Sequence, residues 1–134
     1  MSFTPVIAIH TAAALAAVVI GPLALWSRRS GHVRTRLHRA AGYSWVLLMV
    51  FTALSALFIP AARLPNIAGF GPIHLLVPFV LLMLVVAMRH MLRGRLQAHR
   101  QTMLQLYIGA CLVAGAFTLL PGRLLGQWVR SLLA

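Results

Sequence analysis

The 134-residue chain contains no aspartate, glutamate or lysine, and its formal charge of +12 rests entirely on arginine. Without side-chain carboxylates it cannot be a paired-carboxylate hydrolase, hold a carboxylate cation site or run an acidic proton relay. Cysteine is nearly as scarce. Cys111 stands alone inside an apolar stretch, so it makes no intramolecular disulfide and is expected to fill space. No glycine-rich phosphate loop, Ser-His-Asp set or Cys-x-x-Cys pair is present. The arginines come in short runs between apolar stretches instead of lining a polar face, which argues against nucleic acid as the partner.

What the chain has in abundance is apolar surface. Hydrophobic residues make up 61% of it and charged residues 9%, more apolar area than a domain of this size can hide from water. Lipid must be the solvent. Four stretches, about 5–26, 39–60, 72–92 and 101–121, reach the roughly 20 helical residues needed to cross a hydrocarbon core. Pro5 and Pro72 suit first-turn positions, Trp26 and Tyr43 suit interfacial belts, and Pro60 and Pro121 close the second and fourth spans. Pro22 and Pro78 fall inside spans, where neighbouring groups must satisfy the carbonyls they free.

These features predict an all-α integral membrane four-helix bundle forming a single domain over residues 1–134. A tail over 122–134 places Arg123, Gln127 and Arg130 on one helical face and Leu124, Trp128 and Leu132 on another, the pattern of a short interfacial helix. No basic segment precedes the first apolar stretch, so that stretch reads as a retained helix.

Nine arginines lie in the loops on one side, against Arg63, Arg123 and Arg130 on the other. The positive-inside rule then puts both termini outside, in the periplasm if the membrane is a bacterial inner membrane. Both inner loops run into the next span through a His-Arg pair, His38-Arg39 and His99-Arg100, which suggests two helical hairpins related by an axis along the membrane normal.

Histidine placement carries the chemistry. His32 and His90 sit in the arginine-rich loops and read as solvated or headgroup-facing. The other four each sit near the start of one span. Because spans alternate direction, His10 and His74 lie near the outer face, and His38 and His99 near the inner face. Opposite ends of a span are on the order of 25 Å or more apart, so each pair stands alone. Two imidazoles at one depth can ligate a haem iron axially, and haem propionates would supply the anions that Arg39 and Arg100 lack. Ala13, Ala14, Ala17 and Gly21 on the His10 face, with Ala41 and Gly42 above His38, would let a flat macrocycle approach the backbone. The plain alternative is that the histidines only bond across helices and the small residues only pack. A bare zinc site fits poorly, since two imidazoles per depth leave it short of ligands. Tyr107, Thr102 and Gln105 are further polar groups for a quinone or substrate pocket beside Arg100, and Met103, one turn from His99, is the methionine with a ligand's placement.

Over nearly its whole length the chain resembles a bacterial family of predicted four-helix membrane proteins catalogued as domain of unknown function 2306. The resemblance rests on the His10 helix, on Leu37-His38-Arg39-Ala40-Ala41-Gly42, on Gly69-Phe70-Gly71-Pro72-Ile73-His74-Leu75-Leu76, on His99-Arg100-Gln101-Thr102-Met103 and on Gly115 to Arg123. It implies fold and family, and no activity. More loosely, paired histidines at two depths in four helices look like the di-haem transmembrane b-type cytochromes, including the ascorbate-reducible and superoxide-oxidising kinds. An up-and-down bundle would, however, make each histidine pair diagonal.

The expectation is therefore a membrane electron carrier with two haems b, His10 and His74 on the outer one and His38 and His99 on the inner, passing electrons to or from a quinone or a redox protein. One alternative is a non-redox protein that holds a lipid, a quinone or another subunit. An anion transporter or channel is a third reading, weakened because midspan positions are almost wholly apolar.

Overall fold

The computed structural model describes residues 4–27, 35–60, 67–120 and 123–134. Helix α1 runs Pro5–Trp26, α2 Thr35–Ala56, α3 Leu76–Leu92, α4 Leu96–Thr118 and α5 Leu124–Leu133. A 3-10 turn, Pro72–Leu75, leads directly into α3. Helices α1 to α4 are each long and apolar enough to cross a membrane, α3 counting its 3-10 turn. Among the described residues there is no strand beyond an isolated bridge between Ile67 and Phe70.

Helix starts follow local chemistry. Thr4 Oγ1 accepts the Ile7 N–H at 3.4 Å and Pro5 occupies the first turn of α1, where its missing N–H costs nothing. Helices α2 and α4 begin at Thr35 and Leu96, ahead of the apolar stretches at 39 and 101. Hydropathy alone hides these turns, because arginine is a good helix former whose long stem lets a charged head reach the interface while its backbone is already helical. Helix α2 also stops at Ala56, before a turn that ends at Pro60. Pro78 lies inside the third span, in the first turn of α3, where it frees little. The Leu76 N–H turns back to the Ile73 and His74 carbonyls there. Pro22 does lie inside α1.

Helix α1 packs along α2 and α3 along α4, giving two hairpins; α2 packs on α3, and α4 closes the ring against α1. Helices α2 and α4 thus face each other across a diagonal. A core of Ala17, Trp45, Met49, Ala53, Val77, Val80, Leu84, Leu106 and Cys111 fills the middle and the end nearer the termini. Large apolar side chains point outward along the spans, including Leu15, Val19, Leu47 and Leu82, which in water would be an aggregating surface and in lipid is the expected one.

Helix α4 is not α-helical throughout. Tyr107–Val113 forms a π segment, a rare turn with one residue more than the α pattern and one that often marks functional sites. The Tyr107 ring packs onto Gly21 of α1, where a Cβ would meet its Cδ2 and Cε2 at 2.5 Å, and its hydroxyl donates to the Val18 carbonyl at 3.0 Å. Cys111, in the same segment, donates to the Met49 sulfur at 3.6 Å within the core.

Candidate cofactor site

Small residues at the arginine-rich end leave the bundle hollow. Gly21 and Ala24 of α1 and Gly42 of α2 face a cavity of about 320 Å³, to which all four spans contribute. His38, Arg39, Tyr43, Trp45 and Val46 come from α2, Met88 and Met91 from α3, and His99, Arg100, Met103 and Tyr107 from α4. No side chain approaches within 4 Å of the place a Gly42 Cβ would take, so the wall there is bare. Arg39 and Arg100 are exposed, whereas His99 is buried.

His38 and His99 are each the fourth residue of their helix, on diagonal partners, and both use Nδ1 against a backbone carbonyl. His38 Nδ1 donates to Ala24 O at 2.9 Å, and His99 Nδ1 donates to Ala87 O at 2.8 Å. A carbonyl can only accept. Each neutral ring must therefore carry its proton on Nδ1 and present a bare Nε2 lone pair. Neither Nε2 makes another hydrogen bond among the described residues. Fixing one ring nitrogen on a carbonyl so that the other can ligate is the arrangement that orients metal-binding histidines.

His10 and His74, at the end nearer the termini, differ. Gly71 N–H donates to His74 Nδ1 at 3.1 Å, which forces the proton onto Nε2, and Nε2–H donates to Ile59 O at 3.2 Å. His74 thus holds the opposite tautomer with both nitrogens engaged, and the Phe70 ring stands edge-on to it at 5.1 Å. It staples the approach to α3 onto the end of α2. His10 Nδ1 donates to Ser55 Oγ at 2.9 Å, since the Ser55 hydroxyl hydrogen is directed to Thr52 O at 3.0 Å. Neither His10 nor His74 lines the cavity described above.

Of the remaining polar groups, Tyr107 lines the cavity with Arg100 and Met103, as their order in the sequence anticipates. Thr102 does not join them, because Oγ1 donates to Ala98 O at 2.9 Å within its own helix. Gln105 is exposed. Ala13, Ala17 and Gly21 of the His10 face are buried, but Tyr107 occupies the notch at Gly21. Sequence reasoning missed Met88 and Met91, which the antiparallel course of α3 brings to the depth of Met103. His32, Arg28, Arg29, Arg34 and Arg63 lie outside the described residues, as does Pro121.

The cavity lining brings together two imidazoles, thioether sulfurs, apolar groups and the exposed Arg39 and Arg100. Such a donor set suits a flat apolar body with a metal at its centre and anions at one edge, and a volume of about 320 Å³ is at the lower end of small-molecule sites. Among the described residues no three His, Cys, Asp or Glu side chains cluster. No curated protein and no solved structure matches the chain. Residues 7–129 match the family model described as "Predicted membrane protein (DUF2306)", and the chain belongs to that family.

Proposed function

We propose that this membrane protein is a b-type cytochrome-like electron carrier with one haem site, in the cavity between α2 and α4. The observation that carries the reading is the matched pair of Nδ1-to-carbonyl bonds on His38 and His99, which leaves two Nε2 lone pairs for one ligand. Haem held there would supply one-electron redox chemistry, tuned by its axial ligands and the apolar wall. The Ala24 and Ala87 carbonyls hold the two rings in the ligating tautomer. Arg39 and Arg100, which line the cavity and are exposed, would hold the propionates by charge-assisted hydrogen bonds. Gly42 leaves room for a macrocycle edge, and Tyr107 closes the cavity's inner end against Gly21.

The same tautomer weighs against the lipid and quinone readings. A quinone carbonyl or a phosphate oxygen accepts hydrogen bonds and gains nothing from an imidazole lone pair, whereas a quinol hydroxyl can donate to one. The second haem expected near the outer face does not enter this reading, because ligation by His74 would cost both of its hydrogen bonds.

One further occupant has a specific observation behind it. Met88, Met91 and Met103 share the cavity with the two histidines, and thioether with imidazole in the absence of any carboxylate is a ligand set that selects cuprous copper.

The test is absorption and metal analysis of protein purified in mild detergent after haem-supplemented expression. The reading expects a Soret band and a sharp α band on reduction, with His38→Ala and His99→Ala each removing the bis-histidine spectrum while His10→Ala and His74→Ala retain it. Iron absent and copper retained would favour the methionine site. Loss of haem in His74→Ala but not in His99→Ala would sink the reading.

A further inference from the structure

Helix α5 lies outside the bundle. It starts at Leu124, a few residues beyond the end of α4 at Thr118, and that short connection keeps it at the membrane surface on the side of the termini. Gly126 pins it there. A Cβ at this position would meet the carbonyl oxygens of Leu119 and Leu120, so only glycine lets α5 press its backbone onto the end of α4.

The docked side, with Leu125 and Val129 half-buried beside Gly126, is satisfied within the chain. The rest of the apolar side is not. Trp128, Leu132 and Leu133 are 54%, 66% and 83% exposed, and Phe117 in the last turn of α4 and Leu119 and Leu120 just past its end are exposed as well. Opposite them, Gln127, Arg130 and Ser131 are exposed, and Arg123 stands at the helix start on the same side as Arg130. No side-chain carboxylate exists anywhere in the chain to neutralise these two arginines.

From this arrangement we infer that α5 is an interfacial helix that binds anionic lipid, Trp128 and Leu132 entering the acyl region and Arg123 and Arg130 engaging headgroup phosphates. The chemistry favours lipid over protein because the exposed apolar flank follows a span whose surface already faces lipid, and because Trp beside Arg is the composition of a helix lying in the headgroup layer. Each arginine near an anionic surface strengthens binding to it about fivefold.

The experiment uses the full-length protein in phosphatidylcholine vesicles carrying a few mole per cent of brominated phosphatidylglycerol or of brominated phosphatidylcholine. The difference in tryptophan quenching between the full chain and Trp128→Phe isolates Trp128. The inference expects stronger quenching by the brominated anionic lipid, and an Arg123→Gln, Arg130→Gln variant in which that preference disappears while quenching by the neutral lipid persists. Equal quenching by the two lipids in the unaltered chain would overturn the anionic preference. No quenching by either would overturn the inference outright, since a second copy or another protein would then cover the helix. The readout does not involve the cavity, so it stands or falls apart from haem.

Discussion

The histidines show what a single residue's surroundings decide. All four sit near helix starts, and their depths are legible in the sequence because depth follows from counting along each span. Their tautomers are not. Which nitrogen carries the proton depends on the groups each ring reaches: Ala24 for His38, Ala87 for His99, and for His74 both Gly71 in its own turn and the more distant Ile59. Four similar residues therefore divide into two ligand candidates, a staple and a partner of Ser55. Replacing His74 by alanine leaves the Gly71 N–H and the Ile59 carbonyl without their partner, and should cost about 1–3 kcal/mol of stability with no change at the inner cavity. Thermal unfolding in detergent reads that loss. Gly21→Ala drives a methyl group into the Tyr107 ring, and is expected to lower stability by about 1–3 kcal/mol by overpacking. Tyr107→Phe, which only removes the bond to Val18, should cost about 0.6 kcal/mol in the same assay.

At the scale of elements, α1 and the third span appear in the hydropathy pattern with their observed ends, since proline marks each start and the apolar run meets no arginine before Arg89 in the last turn of the third span. The starts of α2 and α4 are displaced because arginines belong to the helix while lying outside the apolar run. The π segment leaves no mark in the sequence that periodicity would detect: Gly109 and Cys111 are as compatible with a plain helix, and the widened turn goes with contacts of Tyr107 to α1 and Cys111 to α2. Helix α5 is legible from its amphipathic spacing, yet its attachment is not, because Gly126 is ordinary until the Leu119 and Leu120 carbonyls are beside it. Gly126→Ala should release α5 from the end of α4. Hydrogen exchange across 123–134 would rise, with the exchange of α1 to α3 unchanged; unaltered protection of α5 would contradict the close approach.

For the whole molecule, the closing of the ring by α4 against α1 places α2 and α4 on a diagonal, and the small residues Ala24 and Gly42 line the opening left at one end of it, where Tyr107 fills the notch at Gly21. The middle and the end nearer the termini are filled by the core. A single site at one face would exchange electrons with a quinol or protein on that face instead of conducting across the bilayer. Arg39 and Arg100 line the cavity and are exposed, so Arg39→Gln with Arg100→Gln should weaken haem retention about tenfold or more while leaving the bis-histidine spectrum of the bound fraction intact, as loss of propionate partners would. The most direct test of the account is the haem-to-protein ratio, measured as pyridine haemochrome against amino-acid analysis on protein expressed with haem in excess. One haem b per chain is expected, lost when either His38 or His99 is replaced; no haem, or two per chain, would contradict a single site between α2 and α4.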